Sequence, residues 1–171
     1  PLHVGHLRPL NIGRSIYLTN KLVGNNIYSD IHLGDWGMPV AQIISYCELE
    51  DINFDLLSID MLEDIYPKAS KQYLSDDNFK IKAQETNKRL SNGDSKILSK
   101  WRKISDLTLG ELKETMTALN HDFDYWWGES SVNNLIPDML KKLENDNKIE
   151  KDGGALISSQ QTDPRILITK S

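Results

Sequence analysis

The chain has 171 residues, of which 39% are hydrophobic and 26% charged, and its formal net charge at pH 7 is −5. This length and composition predict one globular domain with a sizeable core, and they exclude a membrane-spanning protein, because no apolar run approaches the roughly 20 residues needed to cross a bilayer. The negative charge excludes an overall basic field for nucleic acid, so we expect no DNA partner and no membrane partner.

The first predicted element is a helix from about residue 4 to residue 23. Apolar residues recur along it at helical spacing, and the sequence GNN at 24–26 is a stop signal. Pro9 falls in the first turns, where the missing N–H donor is tolerated. The helix opens on His3-Val4-Gly5-His6, and two histidines three positions apart share one helix face.

This opening is typical of a site for triphosphate chemistry. The first helical turn offers free backbone N–H groups and the positive end of the helix dipole, which together bind anions. Gly5 has no side chain, so a base or a phosphate could approach the backbone closely. His3 and His6 could donate hydrogen bonds to charge that develops on a pentavalent phosphorus. The structural alternative is two histidines at the start of an ordinary helix.

A strand, a loop and a second helix follow. Residues 27–33 alternate as in a strand, the sequence GDWG at 34–37 breaks it, and a helix is predicted over about 39–49. We expect Val40, Ile43, Ile44 and Cys47 to face inward. Cys47 is the only cysteine, so no internal disulfide forms, which fits a reducing cytoplasm. This order resembles half of a doubly wound sheet, in which ligands lie at the strand ends.

The remaining chain has two parts, a helical block and a segment that mixes strands with one helix. Residues 51–120 are predicted as a helical block of two helices broken near 75–77, a turn at 91–94, and a long helix from 95 to 119 that dips at Gly110. A strand over 121–127 and an amphipathic helix over 132–147 come next. The segment from 148 to 171 predicts a hairpin, with strands at 155–157 and 165–168.

Four ordered segments of this chain resemble the arginyl-tRNA synthetase family of class I aminoacyl-tRNA synthetases. Residues 1–8, PLHVGHLR, are similar to the HIGH signature with its flanks, and residues 31–37, IHLGDWG, to the family's strand-end GDWG. The third match is Leu119, Phe123-Asp124 and Gly128-Glu129-Ser130. The fourth is DGGAL at 152–156 with the terminal KS.

The resemblance implies a helix-rich α/β fold: a Rossmann-like class I synthetase catalytic half-domain with a helical insertion at about 51–120. It implies that ATP, with Mg²⁺, and arginine form arginyl-adenylate, and that the arginyl group then passes to tRNA(Arg). By this resemblance His3 and His6 hold the ATP phosphates and are the catalytic residues, and Gly5 packs against the adenine. Asp35, Trp36 and Gln42 are the substrate-pocket candidates.

The resemblance also implies that the whole of residues 1–171 is an incomplete catalytic domain. Pro1 is not a natural first residue, and the family's second signature, a KMSKS-like loop, is expected after Ser171. We therefore expect the chain to be inactive alone. Two alternatives stay open: another nucleotidyltransferase that uses HxGH, and a synthetase-like fragment that binds without catalysing.

Several residues also have a structural interpretation. Asp35 could cap the helix that follows it, and Trp36 could belong to the core. Trp101 is expected in the core of the helical block. His32 and His121 have no partner at metal-ligand spacing, so we assign no metal site. Beyond these, one of Trp126 and Trp127 is expected to be buried, and Lys170 could approach the phosphates.

Overall fold

The computed structural model describes residues 4–152, 155–158 and 166–168, and it divides the chain into two compact units, residues 1–129 and 130–171. The first unit contains α1 (Val4–Leu22), β1 (Asp30–Leu33), α2 (Met38–Leu49), a 3-10 turn (Phe54–Leu56), α3 (Ile59–Ser75), α4 (Asp77–Ser91), α5 (Ser95–Ala118) and β2 (Tyr125–Gly128). A 3-10 segment (Glu129–Leu135) follows. The second unit contains α6 (Ile136–Asn145), β3 (Ile149–Asp152), β4 (Ala155–Ser158) and β5 (Ile166–Ile168). Of the helices in the described ranges, none is both long and apolar enough to cross a bilayer.

The hydrophobic core of the first unit is built around α2. This helix packs against α3 and α4, and α5 also contributes to the cluster. The prediction that α2 faces the core is confirmed, because the four residues expected to face inward, Val40, Ile43, Ile44 and Cys47, are all buried. The buried members of the cluster are Val40, Ile43, Ile44, Cys47, Leu57, Leu62, Ile65, Leu90, Ile97 and Ile104. Burial raises the pKa of the Cys47 thiol to about 11, so this cysteine is an unreactive core residue.

Three helices of the predicted block begin at side chains that cap their free N–H groups. The Ser58 hydroxyl accepts from the N–H of Met61 at the start of α3. The carboxylates of Asp76 and Asp94 do the same for α4 and α5, each accepting from two backbone N–H groups. These caps place the helix boundaries close to the breaks that the sequence predicts near 75–77 and 91–94. Helix α5 runs through Gly110, where the sequence had predicted a dip.

The two strands of the first unit are shorter than predicted. β1 and β2 form a parallel pair in which Asp30 lies opposite Tyr125 and Leu33 opposite Gly128. The prediction of strands over 27–33 and 121–127 was wrong at both starts. The Asp124 carboxylate accepts from the N–H of Ser29 at 2.8 Å and from its hydroxyl at 2.9 Å. Here a side-chain oxygen accepts the N–H that would donate to a backbone carbonyl in a β-sheet. The paired strands therefore begin only after Ser29 and Asp124.

Helix α1 has nearly the predicted bounds, and it continues through Pro9. Within the described residues its apolar stripe is not buried, although such a stripe ordinarily marks the face toward a core. The exposed apolar residues on and after this helix are Val4, Leu7, Ile12, Ile16, Leu18, Leu22 and Val23. The periodicity therefore predicted the helix but not its burial.

The second unit combines α6 with a three-stranded antiparallel sheet of order β3-β4-β5. The prediction of one continuous helix over 132–147 was wrong at its start, because α6 begins at Ile136 with Pro137 in its first turn. Proline favours this position, since it lacks the N–H that a first turn leaves unused. The predicted pairing of β4 with β5 is confirmed, while β3 was missed because Ile149 is its only apolar residue.

Candidate functional site

The N-terminal turn of α1 carries two of the three residues predicted for the ATP site. Gly5 and His6 lie in this turn, and both are exposed. A first turn leaves backbone N–H groups without helical acceptors, so an anion placed there would meet donors and the positive end of the dipole. His3 lies outside the described residues. The predicted pairing of the His3 and His6 rings therefore stays a prediction.

The loop 34–37 joins the end of β1 to the start of α2. Gly37 is the N-cap residue of α2, and its φ of 88° lies in the left-handed region that favours glycine. Asp35 thus lies two residues before the N-cap residue, and a capping role for its side chain stays a prediction. Asp35 also lies just after the end of β1, at the strand end where ligands of such sheets bind.

The Asp35 carboxylate lies directly against Gly128. A Cβ built on Gly128 would come within 2.6 Å of Asp35 Cγ, which is closer than carbon atoms can approach. Gly128 is the last residue of β2 and is paired with Leu33, the last residue of β1. Because the strands are parallel, their carboxyl ends meet at the same edge of the sheet. The glycine therefore makes room for the carboxylate there.

The close approach predicts that Gly128→Ala moves the Asp35 side chain. The added methyl group would displace the carboxylate, while the fold would change little, because the clash involves the end of a short side chain. We expect a crystal structure of the variant to show Asp35 in another rotamer. Gly110→Ala is the control: nothing lies within 4 Å of its Cβ position in α5, and alanine there should stabilise the helix by about 1 kcal/mol. An unmoved Asp35 in Gly128→Ala would contradict the interpretation of the contact.

Trp36 is held by an aromatic neighbour from the helical block. Its ring and that of Trp101 pack edge to face, with centroids 5.3 Å apart at 79°, and both are partly buried against the core cluster. The Trp101 indole N–H also donates to the backbone carbonyl of Asp35 at 2.6 Å. Sequence reasoning placed Trp101 in the core but missed this bond, because its partners lie 66 residues apart.

Gln42, the third pocket candidate, lies on α2 and is 9% exposed. Its neighbours Ala41 and Ile43 are buried as well, so this part of α2 is surrounded by the protein interior. The structure thus brings Asp35 and Trp36 together in one loop, and Gln42 follows at the first turns of the next helix. A substrate contact of Gln42 stays a prediction.

The other histidines have partners of their own. His32 Nε2 lies 2.8 Å from an Asp30 carboxylate oxygen on the exposed side of β1. His121 is buried, and its Nε2 lies 3.1 Å from the side-chain oxygen of Asn11. In the part of the chain that the structure describes, no group of three or more histidine, cysteine or acidic side chains could hold a metal ion. Lys170 lies outside the described residues.

Of the two tryptophans in β2, Trp127 is exposed and Trp126 is partly buried. Trp126 packs edge to face on Phe123, with centroids 5.7 Å apart, and the Lys113 ammonium lies over its ring. Neither tryptophan is fully buried, so the expectation of one buried ring holds only in part. Both contacts belong to packing beside β2 rather than to the loop.

The sequence matches the family model described as tRNA synthetases class I (R), catalytic domain, over residues 1–168. Two curated relatives named arginine–tRNA ligase, from Alkaliphilus oremlandii and Agathobacter rectalis, are each 33% identical to it. The alignments cover 98% and 100% of this chain but only 31% and 32% of the relatives. The chain thus spans about a third of the length of these relatives.

Solved structures give the same result for the fold. An arginyl-tRNA synthetase from Plasmodium falciparum matches with a TM-score of 0.79 and 26% identity, over 98% of this chain and 29% of that one. A structure from Campylobacter jejuni matches with a TM-score of 0.59 over 99% of this chain and 38% of that one. At 16% identity, it bears on the fold alone. The helix-rich α/β fold expected from the sequence is confirmed by these matches.

Proposed function

The chain belongs to the family of class I tRNA synthetases for arginine, and from this premise we propose that it supplies part of the catalytic domain of an arginine–tRNA ligase. The proposed substrates are arginine, ATP with its Mg²⁺, and tRNA(Arg). Family membership argues against the alternative of a small HxGH nucleotidyltransferase. We also propose the cytoplasm as its compartment, since its one cysteine is a buried free thiol.

The observation that carries the proposal is the loop 34–37 at the carboxyl end of the parallel pair β1 and β2. Loops at this edge are where sheets of this kind bind nucleotides and their substrates. Here the loop is fixed on two sides, by Gly128 against the Asp35 side chain and by Trp101 against the Asp35 carbonyl. A pre-arranged loop loses little conformational entropy when substrate binds, which favours a binding role over a simple connection.

The proposed reaction needs no nucleophile from the protein. A carboxylate oxygen of arginine forms a bond to the α-phosphorus of ATP, and the bond from that phosphorus to the bridging oxygen of pyrophosphate breaks. A ribose hydroxyl of tRNA(Arg) then attacks the arginyl carbonyl, its proton is released, and AMP leaves. The protein therefore acts by positioning the reactants and by stabilising negative charge on the phosphates.

Each candidate residue has one role in this proposal. His6 donates a hydrogen bond from its imidazole to the ATP phosphates, together with His3. Gly5 leaves room for the adenine beside the backbone of the first turn of α1. Asp35 and Trp36 face the amino-acid substrate from the loop, with Gln42 as the third pocket residue. Mg²⁺ arrives with the triphosphate and is bound mainly by it.

ATP–pyrophosphate exchange tests the proposal directly. The full-length protein, supplied with arginine, ATP and tRNA(Arg), should incorporate labelled pyrophosphate into ATP, and the chain of residues 1–171 alone should not. Lysine and citrulline are the matched controls, one for the charge and one for the shape of the arginine side chain. Exchange that depends on another amino acid would overturn the arginine assignment. No exchange with any amino acid would favour the noncatalytic alternative.

A further inference from the structure

We propose that Trp101 is a positioning residue for the amino-acid side of the site, acting through the loop 34–37. This inference rests on the proposed function, because it assigns the loop to arginine. Trp101 lies on α5, in the helical block, and carries no candidate catalytic group. It touches the loop at two consecutive residues, through a hydrogen bond to Asp35 and through its ring against Trp36.

The hydrogen bond fixes the backbone at Asp35. The indole N–H is the only hydrogen-bond donor of the Trp101 side chain. Its nitrogen lies 2.6 Å from the carbonyl oxygen of Asp35. With its carbonyl held by Trp101 and its carboxylate placed against Gly128, Asp35 is restrained from both ends. The orientation of the Asp35 side chain toward a ligand therefore depends on both contacts.

The aromatic contact fixes the neighbouring side chain. The edge-to-face arrangement with Trp101 restrains the Trp36 ring, and such aromatic pairs add stability beyond their burial. Trp101 and Trp36 both pack against the core cluster that includes Ile97 and Ile104 of α5. The rigid core of the helical block thus extends to the loop through one side chain.

Trp101→Phe separates positioning from packing, because phenylalanine keeps an aromatic ring and removes the N–H. In the full-length protein we expect the KM for arginine to rise by about 2- to 10-fold, as for the loss of one hydrogen bond, with the KM for ATP unchanged. Ile97→Val is the control: it trims a fully buried side chain of the same core cluster, on the same helix, and leaves the indole N–H of Trp101 in place. It should leave both KM values unchanged.

A spectroscopic readout follows the loop itself. In protein labelled with 5-fluorotryptophan, the ¹⁹F resonance of Trp36, assigned by its loss in Trp36→Phe, should shift in Trp101→Phe and stay in place in Ile97→Val. The proposal would be overturned if Trp101→Phe left the Trp36 resonance or the KM for arginine unchanged. It would also be overturned if Ile97→Val raised the KM for arginine as much as Trp101→Phe does. If the unsubstituted protein shows no arginine-dependent exchange, the proposed function fails. In that case the Trp36 resonance still tests whether Trp101 contacts the loop.

Discussion

His6→Ala is expected to slow arginine-dependent ATP–pyrophosphate exchange by about 100- to 1000-fold in the full-length protein. The substitution removes one imidazole donor from the first turn of α1 and leaves the helix itself able to form, because His6 is exposed and alanine is a good helix former. The loss should fall mainly on kcat, since the donor is proposed to act on charge that builds up in the transition state.

The size of this effect follows from where the imidazole is placed. A donor held in advance next to a developing phosphate charge costs no rearrangement at the moment of reaction, so its removal raises the barrier by about 3 to 4 kcal/mol. In water the same hydrogen bond would be exchanged for one to solvent and would contribute far less. A large effect from one exposed histidine therefore distinguishes a catalytic role from a helix-end role.

His32→Ala provides the matched control for His6→Ala. His32 is also exposed, and its ring pairs with Asp30 on β1. Removing an exposed pair of this kind changes stability by about 1 kcal/mol at most, so exchange should stay within about twofold of normal. If His6→Ala also retained normal exchange, the assignment of residues 3–6 to the phosphate site would be wrong.

The core of the first unit could be predicted from the sequence because its signals are local. Helix α2 is a short, nearly continuous apolar run, and both Asp76 and Asp94 stand at breaks where a cap is needed. The start of β1 could not be predicted in this way. It depends on the bond from Ser29 to Asp124, and these residues lie 95 positions apart.

The candidate site likewise combines features that local sequence signals predict with contacts that they do not predict. The sequence placed Asp35 and Trp36 at a strand-to-helix loop, because the glycines around them break both patterns. The restraints on that loop come from Gly128 and Trp101, which no local pattern connects to it. A glycine required for the close approach of a side chain looks, in sequence, like any glycine that ends a strand.

Ile44→Ala is expected to lower the free energy of unfolding of this part of the protein by about 2 to 5 kcal/mol. Ile44 is 0% exposed at the centre of α2, the helix on which α3 and α4 both pack. Its truncation removes buried apolar area and leaves a cavity that the surrounding helices cannot fully close. Thermal unfolding should show a midpoint lower by about 2 to 4 °C for each kcal/mol lost.

Ile81→Ala makes the same chemical change on the outer face of α4, where the side chain is 55% exposed. It should alter the unfolding midpoint little, because surface substitutions change the free energy of unfolding by no more than about 0.5 kcal/mol. Alanine is also a better helix former than isoleucine. A lower unfolding midpoint for Ile44→Ala than for Ile81→Ala would locate the core between α2 and its neighbours. Equal midpoints would mean that Ile44 is not buried in the protein, and the packing around α2 would be wrong. That packing also supports the loop, because Trp101 lies against the same cluster.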